Sequence, residues 1–227
     1  MSEPIFIKQG LSTQPSAIPI FMRWHNRFYF IAGVSILTGS FYFISNQIHI
    51  NPPRLLSLGW VDQKVPFLPW TIWIYVSGLV YLAYALVINR CLISLSKHLY
   101  SYFFIVFFSS LGFLFFPIQY PRELFPLPMT LDPLTYTLFA WIRTIDSPAN
   151  CTPSLHVSVS FLIALGFLDD RRRHFPLVVT WASLLAISTL TTKQHYFVDV
   201  ILGLLQATLF FFLFHRVFRY RLIQSSA

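Results

Sequence analysis

Residues 195–215 read HYFVDVILGLLQATLFFFLFH, and this stretch decides what kind of fold the chain can adopt. It is apolar almost throughout and matches the ~20 residues that a helix needs to cross a bilayer. Its single carboxylate, Asp199, lies near one end, close to His195. Working outward, five further apolar blocks run over approximately 27–47, 68–89, 99–118, 153–168 and 175–191. The two blocks at 153–168 and 175–191 are short, ~24 Å of helix at ~1.5 Å per residue, and span only if their ends reach the interface or the bilayer thins. Of the 227 residues, 56% are hydrophobic and 11% charged, against roughly 25% charged in soluble proteins. The expected fold class is therefore all-α: a polytopic membrane protein built as a six-transmembrane-helix bundle over residues 23–220. Residues 1–22 carry Glu3, Lys8, Pro4, Pro15 and Pro19 without a clean apolar core, so they read as an N-terminal cytoplasmic or interfacial arm and not as a cleaved signal peptide. No internal repeat and no soluble second domain is visible.

The formal net charge of +8 does not point to nucleic acid, because the basic residues fall mostly between apolar blocks, where they orient the chain in the bilayer. One side collects Lys8, Arg23, Arg27, Arg90, Lys97, Arg171, Arg172, Arg173, Arg216, Arg219 and Arg221, which makes 11. The other collects Arg54, Lys64, Arg122, Arg143 and Lys193, which makes 5. The excess places both termini in the cytoplasm and three loops outside, at roughly 48–67, 119–152 and 192–194. The middle loop holds Pro121, Pro126, Pro128 and Pro133, and its Thr135–Ile145 stretch reads as a short interfacial helix anchored by Tyr136, Phe139 and Trp141. Cys91 and Cys151 fall on opposite faces, so no disulfide is expected. No sorting signal is evident, and a bacterial inner membrane, with the site on its periplasmic or outer face, is the expected location.

Two polar segments share that outer face. Cys151-Thr152-Pro153-Ser154-Leu155-His156 opens the fourth block, with Thr152 expected as N-cap and Pro153 as first helical residue. Ser154 and His156 then lie in a first turn, where free N–H groups favour an anion. Lys193-Gln194-His195-Tyr196-Phe197-Val198-Asp199 opens the sixth block, and His195 and Asp199, four apart, are expected on one helix face. A carboxylate inside an apolar block is costly and points to function. Asp199 can take one ring nitrogen of His195 and leave the other lone pair free to attack. Two histidines, a carboxylate, a hydroxyl and nearby cations suit phosphoryl transfer: one histidine attacks phosphorus, the other protonates the leaving oxygen, and cations with helix N–H groups hold the equatorial oxygens. A metal site from His156, His195 and Asp199 is the competing chemistry, but it lacks a clear fourth ligand. A proton relay in a transporter is another.

These segments resemble the type 2 phosphatidic acid phosphatase (PAP2) superfamily. Pro153-Ser154-Leu155-His156 is similar to its second motif, Pro-Ser-Gly-His, and Ser188 followed by His195-x-x-x-Asp199 is similar to its third, Ser-Arg-x5-His-x3-Asp. The resemblance covers roughly residues 95–215. It implies a six-helix bundle, no metal or other cofactor, and a phosphohistidine intermediate, with His195 as nucleophile, Asp199 as its orienting partner, His156 as general acid and Ser154 at the phosphate. Thr189 stands where the third motif has Arg, and Lys193 is the expected substitute charge. The first motif, Lys-x6-Arg-Pro, is absent as written; Tyr120-Pro121-Arg122-Glu123 is its nearest counterpart, with Arg122 as phosphate ligand. Leu155 replaces the usual Gly, and these departures resemble the branch that contains inositol phosphorylceramide synthase and related bacterial proteins. The expected activity is removal of a phosphoryl group from a lipid phosphate or diphosphate. Lipid phosphotransfer to an alcohol and a non-enzymatic lipid or proton-coupled transporter are the alternatives. The expected partners are the lipid substrate and membrane lipids, with no nucleic acid; oligomeric state is not readable.

Overall fold

The computed structural model describes residues 17–89 and 91–222. Residues 1–16 of the expected arm, including Lys8, and also Arg90 lie outside the described residues. The protein is mostly helical. In chain order the helices are α1 (Arg27–Gln47), α2 (Trp60–Lys64), α3 (Ile72–Val76), α4 (Gly78–Ile88), α5 (Leu92–Phe115), α6 (Pro133–Ile145), α7 (Leu155–Asp170), α8 (Phe175–Thr191) and α9 (Phe197–Phe212). Among the described residues five helical stretches are long and apolar enough to cross a membrane: Arg27–Gln47, Pro69–Ile88, Leu92–Phe115, Arg172–Thr191 and Phe197–Val217. The chain is an integral membrane protein. The fourth apolar block becomes α7, whose 16 residues fall short of that length.

Three boundaries differ from those expected. The block at 68–89 is one apolar stretch but not one helix. It breaks at Ser77, whose hydroxyl bonds back to Ile74 O (2.6 Å) while accepting from Trp181 Nε1 (2.9 Å), a polar insertion of the kind that bends helices. The third block starts at Leu92 and not near 99, because Ser96 and Ser101 return their hydroxyls to the carbonyls of Leu92 and Lys97 (both 2.8 Å) and so stay inside the helix. The interfacial stretch does form α6, capped by Asp132 Oδ1 accepting from Thr135 N (2.9 Å). Of its expected anchors Tyr136 and Trp141 are exposed, but Phe139 is fully buried against Ile72, Tyr75 and Ile142 and is a core residue.

Four short strands supplement the all-α expectation. β1 (Ile18–Ile20) pairs in parallel with β4 (Tyr220–Leu222), so the end of the N-terminal segment lies against the C-terminal one. β2 (Arg54–Leu55) pairs in parallel with β3 (Ile118–Gln119), joining the loops at 48–67 and 119–152.

α7 is the hub. It packs against α5, α8, α9 and α4, through one cluster with Tyr81, Ala85, Val178 and Leu185 and another with Ile105, Ala207 and Phe210. Lipid tails are as apolar as leucine, so close packing and buried polar contacts hold such helices together. Both occur here. Gln206 on α9 donates from Nε2 to Ser109 Oγ on α5 (2.9 Å), and its Oε1 lies 2.7 Å from Ser158 Oγ on α7. Gly203 lets α9 approach the first turn of α7: a Cβ there would lie 2.9 Å from Ser154 O and 3.0 Å from Val157 Cβ. At the opposite end Asp169 of α7 holds Arg216 (2.7 and 3.0 Å) and lies 3.3 Å from His215 Nδ1, clamping the two ends of the α7–α9 contact.

Candidate active site

α8 ends in a tight turn that delivers His195. Lys193 N–H donates to Leu190 O (3.1 Å) and Gln194 N–H to Thr189 O (3.1 Å). These are the two bonds of a Schellman motif, in which the residue after the cap adopts the left-handed conformation. Glycine is usual at that position; here it is Lys193, with φ 54°. A side chain there costs roughly 1–2 kcal/mol, so something must hold it. Its ammonium is buried and donates to Val65 O (2.6 Å) and Asp62 O (2.8 Å), over the ring of Phe125. Burial draws this ammonium below its ordinary pKa, opposed by Asp62. Lys193, expected at the phosphate, therefore has its charge turned onto the C-terminal carbonyls of α2. Thr189, in place of the motif's Arg, supplies the carbonyl that caps the turn and also accepts from His195 N (3.3 Å).

His195 precedes α9 instead of lying on it, because Tyr196 is the N-cap. The expected same-face pairing with Asp199 gives way to a capping arrangement with the same result. Asp199 is the third residue of α9 and reaches back, its Oδ2 accepting from Tyr196 N (2.7 Å) and lying 3.4 Å from His195 Nδ1. His195 Nδ1 also lies 2.9 Å from Cys151 O. A carbonyl only accepts, so this contact requires the proton on Nδ1 and leaves the Nε2 lone pair free. Asp199 is fully buried, and its other oxygen accepts from Thr152 Oγ1. Asp62 Oδ1 accepts from Phe197 N (2.7 Å) at the start of the same helix. The Tyr196 hydroxyl lies between Leu56 O and Gln119 O (3.0 and 2.9 Å), so the loops that carry β2 and β3 are both tied to this corner.

The α7 side also starts later than expected. Thr152 does not cap, since its hydroxyl is given to Asp199, and Pro153 precedes the helix in a cis peptide. Ser154 is the N-cap; its N–H donates to Asp199 O (3.2 Å), and its buried hydroxyl has no hydrogen-bond partner. His156 is the second residue of α7. Its ring lies 4.1 Å from the ring of Tyr75 and 6.1 Å from that of His195, centroid to centroid. Thus His156, His195, Asp199 and Ser154 converge as expected.

Arg122 sits beside this group on a short 3-10 turn, Arg122–Leu124. Nη1 donates to Asp146 O (2.6 Å) and Nη2 to Asp146 Oδ2 (3.1 Å), while Nε is buried without a partner. Asp146 also accepts from the Tyr42 hydroxyl of α1. Among the described residues the clustered atoms close enough to share a metal ion belong to Cys151, His195 and Asp199, all within 4.8 Å, and not to the expected set with His156. Burial, aided by Asp199 and opposed by Arg122, pushes the Cys151 thiol well above its ordinary pKa. The Cys151 thiol donates to Pro148 O (3.0 Å), and His195 Nδ1 and both Asp199 oxygens hold the contacts described above.

Three residues of this corner escaped the sequence reading, Asp62, Asp146 and Tyr75, and Thr152, expected as a cap, is instead a partner of Asp199. Asp62 lies far from both segments along the chain; Asp146 is a polar residue close before the Cys151–His156 segment, which is a usable signal. Tyr75 is an aromatic inside an apolar block and carries none.

Residues 39–213 match the PAP2 superfamily. More narrowly, the chain is 36% identical over 100 residues to an uncharacterized protein of Methanocaldococcus jannaschii, a stretch that covers 42% of this chain and 40% of that protein's length. The family match runs from the middle of α1 through α9 and takes in every element that carries a histidine or carboxylate of the site, and the chain therefore belongs to the PAP2 superfamily.

Proposed function

We propose that this protein is a metal-independent membrane phosphatase that removes a phosphoryl group from a lipid phosphate or diphosphate through a phosphohistidine. The observation that carries this reading is the state of His195: Nδ1 is committed to Cys151 O and faces Asp199, so Nε2 is the free nucleophile, with a second histidine ring 6.1 Å away. In the first step His195 Nε2 forms the bond to phosphorus as the phosphorus–oxygen bond to the lipid breaks. His156, as imidazolium, gives its proton to the departing oxygen. In the second step neutral His156 takes a proton from water as that water attacks the phosphohistidine, and inorganic phosphate leaves. The buried Ser154 hydroxyl, the first free N–H groups of α7 and Arg122 Nε supply donors for the phosphoryl oxygens. Lys193 acts through the turn it holds and through its positive field.

On this reading α7 is the sixth crossing. Its surroundings support this, since α4, α5, α8 and α9 cover it and a short helix shielded by protein need not match the bilayer by itself. Both termini are cytoplasmic and the site opens outward, with the lipid tail between helices. Burial of the site also favours a second reading, transfer to an alcohol: Ser154 and Asp199 are fully buried and His195 is 5% exposed, so water competes poorly with a bound acceptor.

The test is to purify wild type and His195→Ala in detergent and offer both a panel of phosphorylated lipids with chelator present. Phosphate release and lipid mass spectrometry are the readouts. Wild type should release phosphate, and His195→Ala should lose at least ~10³-fold, as loss of a nucleophile does. A new phospholipid without free phosphate would establish the transferase reading. Turnover by the mutant equal to wild type would end the histidine mechanism, and lipid flux without any phosphoenzyme would move the protein to the transporters.

A further inference from the structure

The Tyr75 hydroxyl is buried and has no hydrogen-bond partner. A buried polar group without a partner is costly and rarely kept without a use. Here it sits on the ring that lies against His156, 4.1 Å centroid to centroid and tilted by 33°. The His195 ring lies 6.1 Å from the same imidazole, centroid to centroid.

The position of Tyr75 is built in. α3 is tied to the end of α8 by Leu68 N–H donating to Thr191 O (2.8 Å) and by the paired hydroxyls of Thr71 and Thr191 (2.8 Å). Thr191 stands immediately before the turn that carries His195. On the other side the break at Ser77 is pinned by Trp181. The ring packs with Ile72, Phe139 and Ile142. Tyr75 is thus fixed in the same frame as both histidines, with its ring against the imidazole of His156.

We propose that Tyr75 completes a subsite for the leaving oxygen: its ring holds the His156 imidazole, and its hydroxyl donates a hydrogen bond to the alcohol oxygen that joins phosphorus to the lipid. The inference rests on the phosphatase reading above. No proton is transferred by Tyr75. As the bond from His195 Nε2 to phosphorus forms and the phosphorus–oxygen bond breaks, the proton on that oxygen comes from His156, and Tyr75 stabilises the charge that builds there. The substrate class this favours is an alkyl phosphate, whose alkoxide is a poor leaving group and needs both donors.

The test compares wild type, Tyr75→Phe and Tyr75→Leu on two substrates: a long-chain alkyl phosphate, and an aryl phosphate bearing the same chain. Aryl oxide leaves readily and needs little help. Tyr75→Phe keeps the ring, so its thermal midpoint should equal that of wild type. Its kcat should fall about 10²-fold on the alkyl substrate, the scale of one lost donor to a developing oxyanion, and change less than about threefold on the aryl one. Tyr75→Leu should fall on both. Equal losses of Tyr75→Phe on the two substrates would assign the hydroxyl to structure or to a non-bridging oxygen and overturn the proposal. So would wild-type activity of Tyr75→Phe on the alkyl phosphate, with the phosphatase reading left standing. If wild type formed no phosphoenzyme and released no phosphate from either substrate, the phosphatase reading would fall first and this inference with it.

Discussion

Asp199 shows how much one carboxylate decides. It accepts from Tyr196 N–H and Thr152 Oγ1, faces His195 Nδ1, and through its own carbonyl receives Ser154 N–H. It therefore caps α9, faces the ring of the proposed nucleophile His195 and fixes the start of α7 together. Asn at this position keeps the size but presents an NH2 to donors that need an acceptor. Asp199→Asn should lower kcat by roughly 10³–10⁴-fold with KM nearly unchanged, the scale seen when a histidine loses its orienting carboxylate. Thr152→Val keeps the shape and removes one charge-assisted bond, worth about 1.5–3 kcal/mol. It should cost about tenfold or more in kcat, and steady-state kinetics of the two variants on one lipid phosphate measure both effects. Lys193 belongs at the same scale. Its left-handed backbone is strained for any residue but glycine, and two carbonyls around its ammonium keep it there. The strained residue stands two positions before His195, and the turn it closes fixes where that histidine is delivered.

Between elements, the site depends on how closely α9 approaches α7, and Gly203 sets that distance. A methyl at Gly203 meets Ser154 O at 2.9 Å, a backbone atom that cannot swing away. Gly203→Ala should push the helices apart by tenths of an ångström, lengthen the Ser154 N–Asp199 O contact, and lower kcat about 10–100-fold while the protein still purifies folded. Gly33→Ala is the control: nothing lies within 4 Å of its added carbon, and activity should not change. The same elements show what was legible beforehand. The apolar stretches, five of them long enough to cross a membrane among the described residues, and the grouping of His156, His195, Asp199 and Ser154 could be read because apolar length and motif spacing are local properties of the chain. Helix starts were misplaced by two residues at Ser154, because the Thr152 hydroxyl was diverted to a carboxylate 47 positions away. Tyr75 and the Arg122–Asp146 pair were not legible, because an aromatic in an apolar block, or an Arg in a loop, takes its role only from neighbours brought in by tertiary packing.

For the whole molecule the question is which way the site faces, and the charge pattern makes a definite claim. On the proposed orientation, the excess of Lys and Arg on one side puts the Arg171–Arg173 run inside and the proposed catalytic corner outside. Two exposed positions report on this without touching the site: Arg54, in the loop beside the catalytic corner, and Arg172, between α7 and α8. Both native thiols are free; Cys151 is buried and held protonated, and Cys91 is partly accessible. In a Cys91→Ser background, a membrane-impermeant maleimide applied to sealed cells should label Arg54→Cys and leave Arg172→Cys unlabelled until the membrane is opened. Cys151 should stay unlabelled in both cases unless the protein is denatured. Labelling of Arg172→Cys alone would turn the molecule over and give the site cytoplasmic substrates. Labelling of both in sealed cells would mean that an even number of crossings separates the two positions, and α7, with its 16 residues, would then be a buried helix that does not span. The pattern of two labels thus decides the orientation of the site and the status of α7 in the same experiment.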